Sequence, residues 1–296
     1  MVAAAPPEDT YGALSPPLRW ASRSFDRLAA GWASRRTHNR LGLTLVLGFL
    51  GALLVIELNR RGLLGPTLAA SLPTRHFYAV DFAFTLLLVI EVVALVFALG
   101  ESVSDSLGIQ FEVVSLILLR QAFKGFIGFG EPLELTGHAE QLGPMVADAL
   151  GALGIFIVLG FYYRSQRHRP ITSDHRERDS FIAEKKTVAC ALLLAFLGIA
   201  VYEVALWSVH GPGFDIFAAC YTVLIFSDIL IVLLSVRHSS TYRVLFRNSG
   251  FALATVFARL ALTAPAYVNA GLGLGAAGFA LLLTWAYNSS RLDLRE

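Results

Sequence analysis

Charge is scarce in this chain: 16% of its 296 residues are Asp, Glu, Lys or Arg, against roughly 25% in soluble domains. The shortage argues against an ordinary soluble enzyme, and no nucleic-acid partner is expected. Strand-like alternation is missing from the apolar stretches, which argues against a β-barrel. Cysteine is nearly absent; Cys190 and Cys220 both lie inside apolar runs, with no redox or metal-ligand spacing around them. Histidine is excluded from the apolar cores, since His38, His76, His138, His168, His175, His210 and His238 all fall outside them. Haem ligation by histidines of membrane helices is therefore not expected. There is no H-E-x-x-H, no Walker motif and no G-x-S-x-G, so no enzyme, metal site or cofactor is expected. The first 40 residues carry no apolar core, and no cleavable leader is expected.

What the chain has is apolar length. Hydrophobic residues make up 55% of it, and mean hydropathy is +0.61. The apolar blocks are 41–58, 78–99, 144–163, 186–207, 215–236, 248–264 and 266–288, each near the roughly 20 residues that carry an α-helix across a bilayer. A further block, 107–127, is interrupted by Glu112, Arg120 and Lys124.

Basic residues decide whether that block crosses. The positive-inside rule places the Arg-rich first 40 residues in the cytoplasm. It places there also the linker with Arg164, Arg167, Arg169, Arg176, Arg178, Lys185 and Lys186. Block 144–163 then runs inward, which requires three crossings before it, and 107–127 is the third. Arg237, Arg243, Arg247, Arg291 and Arg295 also fall inside, so 18 of the 24 basic residues do. Arg60, Arg61 and Arg75 fall outside and count against the scheme. Segment 128–143, with Glu131, Glu134, His138 and Glu140, lies outside and reads as a solvated acidic loop rather than a cation site.

The expected fold is thus an all-α polytopic membrane protein of about eight transmembrane helices with both termini cytoplasmic. Residues 1–40 form a disordered start and a basic amphipathic helix, 41–163 a first four-helix unit, 164–185 a basic linker, and 186–296 a second four-helix unit with a short tail. Leu18, Ala21, Phe25, Leu28 and Trp32 recur at helical spacing while Arg19, Arg23 and Arg27 lie elsewhere on the helix. This pattern fits a helix lying on an anionic bilayer surface; packing on the same protein is the alternative. The linker is a second surface for anionic lipid or an acidic partner. All basic residues but Lys124, Lys185 and Lys186 are arginine, and Ala, Leu and Gly abound. That bias fits GC-rich bacterial coding and hence an inner membrane.

The two four-helix units share a pattern. Phe49-Leu50-Gly51 with Glu57 in the first span matches Phe196-Leu197-Gly198 with Glu203 in the fifth. Thr85 precedes Glu91 by six residues in the second span, and Thr222 precedes Asp228 by six in the sixth. Arg120 in the third matches Arg259 in the seventh. Pro144, Asp148 and Gly154 in the fourth match Pro265, Asn269 and Gly275 in the eighth. An even number of crossings per unit makes the halves parallel repeats.

An ionised group at the centre of a spanning helix costs roughly 2.5–3.5 kcal/mol on insertion scales and must find a partner or water. The expected partners are Glu91 with Arg120 and Asp228 with Arg259. Glu57 and Glu203 would form an outer mouth, and Glu112 lies nearer the inner side. Tyr221 lies on the Asp228 face and could extend a hydrogen-bonded path with Ser227, although a boundary aromatic is the commoner role. Transport of a proton, small cation or small solute is the function these positions suggest; an accessory or scaffold subunit, with homo-oligomer or complex partners, is the alternative. Gly271-Leu272-Gly273-Leu274-Gly275 contains a formal G-x-G-x-x-G but no βαβ context, so it reads as helix packing through Gly271 and Gly275.

Overall fold

Within a bilayer the α-helix satisfies every backbone N–H and C=O inside one segment, so long apolar blocks become helices. In the computed structural model, which describes residues 15–100, 103–129, 139–166, 175–210, 216–238 and 242–289, every element among the described residues is helical. In chain order these are α1 (Pro16–Trp32), α2 (Arg35–Arg60), the single turn α3 (Pro66–Ala69), α4 (Phe77–Leu99), α5 (Val103–Lys124) and α6 (Ala139–Ser165). They continue with α7 (His175–His210), α8 (Ile216–His238), α9 (Tyr242–Thr263) and α10 (Val268–Ser289).

Seven described helices are long and apolar enough to cross a membrane, so this is a multi-pass membrane protein. α2 makes the point most directly: only 6% of its apolar run is buried, and Leu43, Val46, Leu47, Leu50 and Leu54 are exposed. Such a surface is stable in lipid and not in water. The sequence treats 107–127 as a less obvious block than 248–264; by length and apolarity the described helices rank the other way. The run from Ser106 to Gly128 qualifies as a span, whereas α9 is not among the seven. The reason is polarity: α9 carries Arg247, Asn248 and Arg259, all buried against neighbouring helices.

α5 is the centre of the bundle, with 67% of its apolar run buried. It packs on α4, α6, α9 and α10; α9 packs in turn on α8 and α10, and α6 on α10. Small residues permit the closest of these approaches. A Cβ added at Gly151 of α6 would stand 2.6 Å from the Ala270 Cβ of α10. On α10 the packing glycine is Gly273, whose Cβ would meet Ile155 at 3.1 Å, while Gly271 and Gly275 face open space. The expected Gly271/Gly275 seam is therefore wrong, because the helix turns the residue between them toward α6.

The end of the bundle that carries α1 is also polar. Ser34 caps α2, its Oγ accepting from the Thr37 N–H at 3.1 Å. α1 is docked on α7, and its apolar stripe divides. Phe25 and Trp32 pack on Phe97 of α4, with centroids at 5.8 and 5.3 Å, and the Phe25 ring fills the space left by Gly100. Trp20 and Leu28 remain exposed. Two basic residues assigned to the linker are also drawn in: the described part of α7 starts at His175, and Lys185 and Lys186 are buried. Lys186 pairs with Asp26 of α1 at 2.7 Å. The expected disordered start, and most of the acidic loop at 128–143, lie outside the described residues.

Candidate functional site

Two buried carboxylates and two buried arginines meet inside this frame. Glu91 stands on α4 and Arg120 on α5; the guanidinium donates from Nη1 to Glu91 Oε2 at 2.7 Å and to the Phe84 carbonyl at 3.2 Å. Asp228 stands on α8 and Arg259 on α9; Arg259 donates from Nε to Asp228 Oδ2 at 2.7 Å. All four residues are buried, Arg259 to 2% exposure. Pairing is what such burial demands, because an isolated charge in a medium of low dielectric is far costlier than a hydrogen-bonded pair.

The two pairs have different surroundings. Arg120 is closed off by Glu91 and a backbone carbonyl. Arg259 reaches across the bundle, donating from Nη2 to Gln110 Oε1 of α5 at 3.1 Å, and Gln110 Nε2 donates to Ser106 Oγ at 3.1 Å. A continuous polar chain thus runs Asp228–Arg259–Gln110–Ser106. Beside it lies a small, partly open cavity. Lys185, Ser106, Gln110, Asp228, Asn248 and Thr255 line it, together with apolar residues that include Leu99, Ile231 and Phe251. These positions belong to the ends of α4 and α8 and the beginnings of α5, α7 and α9, which places the cavity in the half of the bundle nearer α1. Glu91 is not part of its lining.

Tyr221 is buried, not a boundary aromatic. Its hydroxyl lies within electrostatic reach of Glu91, Arg120 and Arg259. Ser227 does not extend a path: its hydroxyl donates to the Leu224 carbonyl of its own helix at 2.7 Å. The remaining expected residues lie apart. Glu57, at the end of α2, is taken by Arg60 at 3.1 Å, Arg61 at 2.7 Å and His76 at 3.2 Å. Glu203 on α7 is half-buried, and its Oε2 accepts no hydrogen bond among the described residues. Glu112 is exposed on α5 and accepts from the Tyr163 hydroxyl at 2.7 Å.

Several members of the site were not singled out from the sequence. Gln110, Asn248 and Lys185 are polar residues of the cavity wall; Gln110 is legible only as a polar residue on the face of α5 that also carries Leu107, Val114 and Leu118. A second polar cluster joins α6, α10 and α5, where Asn269 Nδ2 donates to Asp148 Oδ1 at 2.8 Å and to Gln121 Oε1 at 2.9 Å. Asp148 and Asn269 are the matched positions of the fourth and eighth blocks, and they touch. The described residues contain no group of three or more His, Cys, Asp or Glu able to hold a metal ion.

No known family, curated protein or solved structure matches this chain.

Proposed function

We propose that the protein is a transport protein of the bacterial inner membrane that passes a small solute or protons through its second half. In this reading α9 is an eighth crossing, both termini are cytoplasmic, and residues 41–163 and 186–296 are parallel repeats. Support for the repeat comes from three directions. An acid–Arg pair recurs between consecutive helices of each half, α5 packs on α9 and α6 on α10, and the matched residues Asp148 and Asn269 meet. Contact between equivalent positions is what a pseudo-two-fold axis between halves produces. Transporter sites concentrate near such interfaces at mid-membrane depth.

One observation carries the functional reading: the Asp228 carboxylate, buried and held by Arg259, also lines a partly open cavity in the half of the bundle nearer α1. A pair that only locked helices together would need no such opening. Arg259, bonded at once to Asp228 and Gln110, can exchange partners as a solute or proton arrives, and this couples α8, α9 and α5. The first pair does not line this cavity, so it is assigned a structural role. An accessory-subunit role finds its support in that closed pair and in the exposed Trp20 and Leu28 of α1.

Flux in proteoliposomes discriminates. With a pH gradient and labelled small solutes of either charge, Asp228→Asn is expected to reduce flux at least tenfold. Glu91→Gln is expected to leave most of it. Absence of flux in wild type, with a stoichiometric partner co-purifying, would replace transport by the accessory role.

A further inference from the structure

Between Ser106 and Phe123 the exposed residues of α5 reduce to one stripe, Glu112, Leu116, Leu119 and Phe123. These positions recur at helical spacing and face one way, away from Gln110 and the cavity. Three of the four suit lipid; Glu112 does not. It stands six residues inside the span that starts at Ser106, roughly 9 Å along the helix at about 1.5 Å per residue. Charged groups inside spans ordinarily face the bundle interior or water and are paired. Glu112 accepts one hydrogen bond, from the Tyr163 hydroxyl of α6 at 2.7 Å, and no cation among the described residues pairs with it. Tyr163 ties the stripe to the outward face of α6, where Leu153, Phe156 and Ile157 are exposed. A Cβ added at Gly160 of that face would meet nothing within 4 Å. Arg164 follows Tyr163, is also exposed, and has no ion pair among the described residues. One lipid-facing surface thus carries an acid on α5 and a base on α6 near the same level, neither of them matched.

We infer that this surface is where a second copy of the chain packs, side by side and in the same orientation, with Glu112 of each copy meeting Arg164 of the other. A closed two-fold dimer uses one patch on both copies, so the patch must complement itself. An axis along the bilayer normal leaves depth unchanged, and a charge is then matched only by its opposite at its own level on the same patch. Arg164 meets that condition for Glu112. The rotation sets α6 of one copy opposite α5 of the other and makes two such pairs. The long arginine stem reaches into the membrane while carrying its charge at the tip. Gly160 lets the backbones approach, as small residues do between helices in lipid, and the exposed apolar residues of both helices fill the remainder. A foreign helix would have to bring its own base to this depth, whereas this chain already presents one. The dimer does not depend on the transport reading, since Glu112 faces away from the cavity.

Co-expression of two differently tagged full-length chains tests this, with mixed dimers counted by sequential affinity capture in lipid nanodiscs and mass read by light scattering. Wild type is expected to show the mass of two chains. Glu112→Arg or Arg164→Glu, each present in every copy, sets like charges against each other twice and should weaken self-association roughly tenfold or more. When one chain carries Glu112→Arg and the other Arg164→Glu, both contacts of the mixed dimer become complementary. That dimer should form at least about tenfold more readily than either variant pairs with itself. Its recovery also shows that both variant chains fold. Gly160→Phe, whose new ring points into open space in the single chain, should weaken the dimer while leaving a monodisperse elution profile. A wild type with the mass of one chain, or single variants that associate as wild type does, would overturn the inference. So would the absence of a preference for the mixed dimer, which is the result expected if Glu112 and Arg164 met within one chain.

Discussion

Arg259→Met is the perturbation with the clearest expected size. The guanidinium makes two side-chain bonds, to Asp228 at 2.7 Å and to Gln110 at 3.1 Å, and both acceptors are buried. Removing it strands a carboxylate in the bundle, for which a loss of about 3–5 kcal/mol is expected. Gln110 forfeits a charge-assisted bond, a further loss of about 1–2 kcal/mol. The two overlap, so about 4 kcal/mol is a fair expectation for the single variant. Asp228→Leu combined with Arg259→Met removes both charges and leaves apolar groups of comparable volume, a change that is near neutral at comparable sites. The double variant should therefore be more stable than Arg259→Met alone, with a coupling energy of at least about 2 kcal/mol. Reversible unfolding in mixed micelles, followed by tryptophan fluorescence, reads this directly. A chain that fails to fold as the single variant but folds as the double one leads to the same conclusion. An Arg259→Met cost below about 1 kcal/mol, or a double variant as damaged as the sum of its parts, would refute the idea that each charge is tolerated only because of the other.

Other expectations follow from the packing. Gly151→Ala brings a Cβ to 2.6 Å from that of Ala270 and should cost about 1–3 kcal/mol in the same unfolding assay, whereas Gly271→Ala and Gly275→Ala should be neutral or raise helix stability by up to about 1 kcal/mol. Phe25→Ala empties the contact with Phe97 and Gly100. It should cut the hydrogen-exchange protection of α1 at least a hundredfold while leaving α5 unchanged, because an aromatic truncation of this kind removes about 3–5 kcal/mol. Tyr163→Phe removes one hydrogen bond to an exposed carboxylate and should shift stability by no more than about 1 kcal/mol.

The partnerships of Glu91 with Arg120 and of Asp228 with Arg259 are legible because charge in oil leaves few alternatives. A helix carrying an ionised group must offer it to an opposite charge at similar depth, and depth follows from residue count. What cannot be read so simply is rotation about the helix axis. Gln110, Lys185 and Asn248 are cheap enough to place on several faces, and only packing decides that all three border one cavity. The same ambiguity misassigns Gly271 and Gly275, which lie two residues either side of the glycine that makes contact. It also leaves the apolar stripe of α1 undivided between protein and lipid. Tyr221 is a related case: an aromatic with a polar tip suits a membrane boundary and a polar core equally well, and its burial depends on tertiary packing. α9 shows the limit of hydropathy itself, since a helix whose polar residues are buried against its neighbours loses its apolar signature without losing its place in the bundle.

Substituted-cysteine accessibility at Thr255 tests the central claim most directly. In a chain lacking Cys190 and Cys220, Thr255→Cys places a thiol on the cavity wall beside Asp228. A membrane-impermeant, charged thiol reagent is expected to label it from the face that carries α1 and to stop flux in proportion to labelling. No labelling from either face, or full labelling with flux unchanged, would contradict the assignment of this cavity as the route.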